Sequence, residues 1–464
     1  MTETRERILF LTGSLAERRL QRTLEAMGSE DLDWQVRPVG VKVAALMTTE
    51  IIRRRLKSLD GATRVLLPGR SRVGLAALSA EFGVPFERGP DDLKDLPRHF
   101  GRPGGLPDLS RHDMRIFAEI VEAPTLTVEQ ILERAAEYRT AGADVIDLGC
   151  LPDTPFPHLE DAVLELKRGG YEVSVDSGDP EELRRGQRAG VQFLLSLTER
   201  SLSIAEEGEA VPVLIPSEPG DLESLVRAIE KLRDRGKTFL ADSILDPIHF
   251  GFTESLLRYA KLRRRFPEIE ILMGIGNLTE LTAADSTGVN AMLIAVCQEL
   301  GIRSVLTTEV IPWARGSVRE IDIARRLMHH AVAHNTIPKG VDDRLVTVKD
   351  PAVLTYSEDE LRELQTRITD PNFRIFADAE AITVLNNERF VRGTNIQDIF
   401  NQLGVDEPTH AFYLGKELAR ASLAMTLGKT YRQEGALSWG YLTPADDARS
   451  EHVTLTQKLR TRHE

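Results

Sequence analysis

The sequence is poor in cysteine and in aromatic residues, has no long apolar run, and carries no excess of basic charge. Two cysteines, Cys150 and Cys297, in 464 residues can supply neither a disulfide framework nor a zinc ligand set, and so fit the reduced cytoplasm. Lysine and arginine number 59 against 72 aspartates and glutamates, a net charge of -13. Such a chain is repelled by phosphate backbones and anionic lipid, which excludes nucleic acid and membrane surfaces as partners. The basic clusters Arg53 to Arg55 and Arg263 to Arg265 read as solvated helix faces. No apolar stretch reaches the roughly 18 residues of a membrane span, and the opening MTETRERILFLTG is too short and too charged for a secretory signal. A hydrophobic share of 41% with 28% charged residues is that of a soluble globular protein. The length calls for two or three domains.

What the chain does have is a long succession of short apolar runs separated by helix-compatible stretches. Residues 1–105 alternate in this way. Ile8 to Leu11 and Trp34 to Val39 read as strands, as does the run from Arg64 to Gly69. Helices are expected from Leu15 to Met27 and around Met47, Ile51, Ile52 and Leu56. This is the pattern of a Rossmann-like α/β domain with a parallel sheet. Gly13 with Ser14, and Gly69 with Arg70, Ser71 and Arg72, could offer amides and cations to an anion; ordinary strand-to-helix turns explain them equally, because no full glycine fingerprint is present. Residues 99–110, with Gly101, Pro103, Gly104, Gly105 and Pro107, read as a linker.

Residues 111–340 are the most regular part. Eight strands are expected: Arg115–Val121, Ala143–Leu148, Glu172–Asp176, Gln192–Leu197, Val211–Ile215, Thr238–Leu245, Glu270–Met273 and Ser304–Thr308. Their starts recur every 19 to 34 residues, as βα units require. Eight such units predict a (β/α)8 TIM barrel, with a doubly wound open sheet as the competitor. Residues 341–464 change character and predict a C-terminal α+β domain. Phe373 to Phe376 and Ile382 to Leu385 read as strands. A hairpin turn at Asn386 and Asn387 leads into Phe390 to Arg392, and a later helix carries Leu414, Leu418, Ala421 and Met425 on one face.

Acids stand where the barrel strands end, which is the face where barrels bind ligands. Glu119 falls near the end of the first strand, Asp147 ends the second and Asp176 the third. Asp242 and Asp246 lie on the sixth and share a face if that strand is regular. Asn277 follows the seventh and Glu309 the eighth. A carboxylate facing an amino-pyrimidinone accepts two parallel N–H bonds, so the set suits a flat, nitrogen-rich ligand. Two other assignments compete. Each acid could be a helix N-cap, as Asp179 before Pro180 is expected to be. The acids together could hold magnesium, although no tight local motif supports a metal site. His330 and His334 have metal-ligand spacing but lack a third ligand, and read as surface residues.

At these residues the chain resembles the pterin-binding barrel family, which includes dihydropteroate synthases and methyltetrahydrofolate-to-corrinoid methyltransferases. The resemblance covers about residues 111–315. Asp144 to Gly149 is similar to the family's second-strand signature, and Val175 to Ser177 to its third-strand aspartate motif, which holds the pterin ring. Leu245, Asp246 and Pro247 resemble the sixth-strand aspartate motif. Met273 to Asn277 resemble the seventh-strand turn in its methyltransferase form. Leu195 stands where the family usually has a pterin-binding Asn, Ala118-Glu119-Ile120 replaces its first-strand Asn motif, and Thr307-Thr308-Glu309 replaces the diphosphate-holding Arg and His. The layout with flanking domains is most similar to archaeal-type dihydropteroate synthase-related proteins of tetrahydromethanopterin synthesis.

The resemblance implies a pterin as substrate or ligand and an arylamine as co-substrate, with Asp147, Asp176, Asp242, Asp246, Asn277, Glu119 and Glu309 binding it. It further implies magnesium to offset diphosphate charge, near Glu119 or Asp147, and a homodimer. Two alternatives follow from the same residues. One is pterin-dependent methyl transfer with a corrinoid partner, with Asn277 near the pterin N5. The other is a non-catalytic pterin-binding module.

Overall fold

A computed structural model describes residues 6–14, 16–27, 33–41, 47–69, 71, 73–90, 93, 96–100, 108–351 and 353–444. The chain divides into two compact units, residues 1–109 and 110–464. Leu15, Arg70, Arg72 and the glycine- and proline-rich stretch 101–107 lie outside the described residues.

The first unit carries a parallel sheet of order β2-β1-β3-β4, formed by β1 (Arg7–Thr12), β2 (Asp33–Pro38), β3 (Arg64–Leu67) and β4 (Phe86–Arg88). Between and after them run α1 (Glu17–Ala26), α2 (Thr49–Arg55), α3 (Leu75–Phe82) and α4 (Leu96–His99). The period of two along β1 makes a core on each face. Leu9 and Leu11 pack with Ile52 and Leu78, while Ile8 and Phe10 pack with Leu20, Leu24 and Leu96. Three amides of the turns considered for an anion are already bonded to carbonyls. Ser14 N–H donates to the Val41 carbonyl at 2.9 Å, Gly69 N–H to Pro90 at 3.2 Å and Ser71 N–H to Pro68 at 3.0 Å.

The second unit contains the predicted barrel. Its strands are β5 (Arg115–Ile120), β6 (Val145–Gly149), β7 (Glu172–Asp176), β8 (Phe193–Leu197), β9 (Val211–Leu214), β10 (Leu240–Ala241), β11 (Glu270–Gly274) and β12 (Ser304–Thr307). All neighbours are parallel, and the β12 to β5 pairing closes the ring. The helices α5 (Val128–Ala141), α6 (Leu159–Arg168), α7 (Pro180–Ala189), α8 (Leu222–Asp234), α9 (Phe252–Arg265), α10 (Gly276–Thr279), α11 (Ser286–Leu300) and α12 (Ser317–Ala333) fill the crossovers. After β8 the crossover is a short 3₁₀ turn, Leu202–Glu206. Local chemistry sets the helix starts. Thr127 and Gln130 form a capping box on α5, and Asp179 caps α7 ahead of Pro180.

Alternate residues of the strands face inward and outward. Ile116, Ala118, Ile146, Leu148, Val173 and Val175 face the helices. Phe117, Val145, Phe193, Leu195, Val213, Leu240 and Leu272 fill the barrel's centre as an apolar plug, with the Phe117 and Phe193 rings edge to face at 4.9 Å. Burying each such side chain stabilises the fold by roughly 1.5–3 kcal/mol.

The sixth strand is shorter than expected. It ends after Ala241, with Asp242 N–H still bonded to the Leu214 carbonyl at 2.8 Å. Asp242 Oδ1 then accepts from Ile244 N–H at 2.7 Å, and Ile244 takes a φ of 66°. This local side-chain turn curls the backbone into the left-handed region that a β-branched residue rarely adopts. Asp242 and Asp246 therefore do not share a strand face.

Beyond α12, α13 (Glu358–Gln365) leads to an antiparallel sheet of β13 (Arg374–Ala377), β14 (Ile382–Leu385) and β15 (Phe390–Gly393). The hairpin turn falls at Asn386, whose Oδ1 accepts from Glu388 and Arg389 N–H. Then follow α14 (Ile396–Leu403) and α15 (Pro408–Leu427), with Leu414, Leu418 and Ala421 buried against the sheet and Met425 at the edge of that core.

Candidate functional site

Directly above the apolar plug, the next inward-facing residues are polar. On β5 the inward series runs Phe117 then Glu119, on β6 Val145 then Asp147, on β7 Ser174 then Asp176, and on β10 Leu240 then Asp242. The pairing register puts Glu119 opposite Asp147 and Asp147 opposite Ser174. Glu119, Asp147 and Asp176 each bring a carboxylate oxygen within 4.8 Å of the other two. Asp242 stands across the ring, directly after β10, and its carboxylate accepts from the Tyr259 hydroxyl as well as from Ile244. A Cβ on Gly149 would run into the Glu119 carboxylate, so glycine at that position leaves room for the acid.

Burial dominates the electrostatics. Glu119 is pushed up to about 7 from an ordinary 4.5, by burial first and then by Asp176 and Glu280. Burial pushes Asp176 up to about 6 against a hydrogen bond from the Ser196 hydroxyl at 3.5 Å. Asp242 rises to about 6 from burial, opposed by its Tyr259 and backbone bonds. Asp147 is fully buried and held well above the usual carboxylate range, by burial and then by Asp176 and Glu119. Its Oδ1 accepts from the Ser174 hydroxyl, and its Oδ2 has no hydrogen-bond partner.

The other expected site residues are placed differently. Asp246 Oδ2 is 2.5 Å from Arg258 Nη2, and that guanidinium also donates to the Ile244 carbonyl at 2.9 Å. Asn277, on α10, is exposed and donates from Nδ2 to the Leu245 carbonyl at 3.1 Å. A Cβ on Gly274 would lie 3.7 Å from Asp242 Oδ2 and 3.8 Å from Asn277 Nδ2, so both side chains stand over that strand end. Glu309 accepts from Val318 N–H at 2.9 Å and so serves the start of α12, which lacks a side-chain cap of its own. Burial raises the Glu309 pKa. Glu119 and Glu309 also line a lateral cavity of about 500 Å³ with Arg134, Tyr138 and Arg315.

Ser174, Ser196, Tyr259 and Glu280 belong to the site although no motif marked them. Ser174 shares the parity of Asp176 and sits opposite Asp147, so strand alternation could have found it. Tyr259 and Arg258 reach the strand ends from α9, which nothing local in the sequence signals.

The fold and the site thus define a (β/α)8-barrel protein with an acid-lined mouth. A family of unknown function (DUF6513) matches residues 6–91, and the family PterinBD-DUF4346 matches residues 359–434. The chain is 26% identical over 524 aligned positions to an uncharacterized protein of Methanocaldococcus jannaschii, covering 92% of this chain and 98% of the relative. Among solved structures, it is similar to the Yersinia pestis dihydropteroate synthase bound to a pterine–sulfa conjugate, at 19% identity and a TM-score of 0.38 over 49% of this chain and 95% of that one. It is also similar to the Thermus thermophilus dihydropteroate synthase complexed with 4-aminobenzoate, at 20% identity and a TM-score of 0.36 over 48% of this chain and 94% of that one. Among the described residues no helix is long and apolar enough to cross a membrane.

Proposed function

We propose that the barrel mouth binds a reduced pterin and that the protein acts as a dihydropteroate synthase-like transferase, joining a dihydropterin to an arylamine in the synthesis of tetrahydromethanopterin or a folate-like cofactor. The observation that carries this is the ring of carboxylates from separate strands above an apolar floor. A bicyclic heterocycle can stack on such a floor while its amino-pyrimidinone edge donates N–H bonds to an acid. The name of the family matched at residues 359–434 points the same way.

Asp176 and Asp242 are assigned to the ring. Asp242 is buried and Asp176 half-buried, both retain acceptor capacity, and each bond to an ionised acceptor contributes about 1.5–3 kcal/mol. Asn277 stands beside Asp242 as donor or acceptor to a ring nitrogen. Asp246 and Glu309 flank the mouth and hold its loops through Arg258 and α12, while Glu119 and Asp147 complete the acidic wall. The arylamine nitrogen attacks the exocyclic methylene of the pterin. A C–N bond forms, the C–O bond to diphosphate breaks, and diphosphate leaves with the electron pair. The amine gives up a proton, for which Glu119, raised to about 7, is a suitable acceptor. A divalent cation such as magnesium would offset the diphosphate charge against the acidic mouth. The proposal includes a cytoplasmic setting and a homodimer.

The test is diphosphate release from hydroxymethyl dihydropterin diphosphate by the purified full chain, with and without 4-aminobenzoate. Release that depends on the arylamine supports the transferase. Pterin binding with neither release nor methyl transfer to a corrinoid protein replaces it with a binding module. Mass spectrometry of small molecules retained on purification would identify the ring directly.

A further inference from the structure

Three neighbouring loops at the barrel mouth expose apolar side chains that neither the core nor the proposed ligand site uses. Phe250 follows β10, Leu281 follows β11, and Val310 and Trp313 follow β12; they are 78%, 67%, 53% and 39% exposed. The loops are knitted into a firm platform. The Trp313 indole N–H donates to the Thr279 carbonyl at 3.2 Å. The Glu280 carboxylate accepts from the Thr308 hydroxyl at 2.8 Å and from Val310 and Ile311 N–H at 3.0 and 3.2 Å. The Asn277 bond to the Leu245 carbonyl joins the loop after β11 to the one after β10. Apolar side chains grouped on such a rim mark an interaction surface. The chain itself comes back to this rim. The Tyr441 hydroxyl donates to Glu320 in the first turn of α12, and a Cβ on Gly316, three residues after Trp313, would meet that hydroxyl. Leu442 beside it is exposed, and the described residues stop at Pro444.

We propose that residues 453–462 of this same chain lie along that rim as a strap. Val453, Leu455 and Leu459 share one parity, and Lys458, Arg460 and Arg462 the other. Successive side chains of an extended chain point to opposite sides. A strap on the lip therefore lays its apolar side on Phe250, Leu281, Val310 and Trp313 and turns its cations over the opening. Charge favours this occupant. The mouth is lined with carboxylates, and residues 452–463 carry three cations and no acid in a chain of net charge -13. A second copy of the chain would bring another acidic mouth to the same face, and like charges repel. Reach is ample. Pro444 and Val453 are nine positions apart and span up to roughly 30 Å when extended, whereas three neighbouring strand ends cover only about 10 Å. Attachment to the same chain also gives the segment a high effective concentration at the rim, so few contacts suffice to seat it. The strap is independent of which organic ligand the mouth takes.

The test is hydrogen–deuterium exchange of the full chain, read by mass spectrometry on peptides covering residues 453–462, with no pterin present. Exchange at least about tenfold slower than in a free synthetic peptide of the same sequence is expected, at a rate unchanged by diluting the protein. Leu281→Ser with Val310→Ser should remove the protection; both side chains are exposed, and circular dichroism checks that the pair folds. The reciprocal pair, Leu455→Ser with Leu459→Ser, should release the segment equally and leaves every barrel residue in place, so it decides alone should the rim pair misfold. Exchange at the free-peptide rate in the wild type overturns the proposal. So does protection that either folded variant keeps, or that disappears on dilution, because the segment is then held elsewhere or by a second copy.

Discussion

A carboxylate inside a barrel mouth opposes folding once it ionises. Glu119 is shifted from 4.5 to about 7, and Asp176 and Asp242 from 3.8 to about 6. In each case the folded pKa lies above the unfolded one, so the folded state holds more protons in between. Stability therefore falls as pH rises from about 4 to 7, and levels off above that window. In EDTA, the melting temperature of the full chain should drop across this range, and Glu119→Gln should flatten the upper half of the drop; an unchanged slope in that variant would show that Glu119 is not strained. These residues were legible because acids at the ends of apolar runs stand out. Their geometry was legible only in part. Their place at the ends of separate strands put Glu119, Asp147 and Asp176 at one mouth, without saying that their carboxylates meet. Asp246 was misplaced relative to Asp242, because a side-chain bond to Ile244 N–H ends the strand regularity that the parity argument assumed. The free oxygen of Asp147 depends on burial and neighbours, which no local pattern encodes.

Among elements, the short apolar strands at regular spacing were the most readable, and the barrel follows from their number and spacing. Crossovers were less so: the turn after β8 is 3₁₀, and the short α10 holds Asn277. The last two barrel helices hold together through a group the sequence did not mark. Glu320 on α12 is buried and accepts from Ser286 at 2.7 Å, Thr287 at 2.6 Å and Asn290 at 2.7 Å, all on α11, and from the Tyr441 hydroxyl at 2.8 Å. This ties α11, α12 and the segment after α15 to one carboxylate. Tyr441→Phe should destabilise the unit by about 1.5 kcal/mol, the value of one bond to a charged acceptor. Glu320→Ala should cost more, at least about 2 kcal/mol, because it leaves several buried donors unpaired. Urea unfolding monitored by circular dichroism measures both, and equal losses in the two variants would refute the shared node. Gly316 supports the arrangement, since a Cβ there would crowd the Tyr441 hydroxyl.

At the scale of the whole molecule, a closed barrel offers rigid strand ends on which side chains far apart in sequence converge. Asp147 and Asp242 are separated by 95 positions along the chain, yet both sit at the mouth. The parallel sheet of the first unit and the antiparallel sheet after α12 were readable as elements from alternation and turn chemistry. Whether residues 341–464 fold alone is a separate proposal, because they group with the barrel in one compact unit. The central claim is that carboxylates from separate strands clasp one bicyclic heterocycle. Its most direct test is calorimetric titration of a reduced pterin into the full chain and into Asp176→Asn and Asp242→Asn. Saturable binding to the wild type, weakened at least about tenfold in each variant, or roughly 1.4 kcal/mol, is the predicted result. Absence of binding to the wild type, or equal affinity in all three proteins, contradicts it.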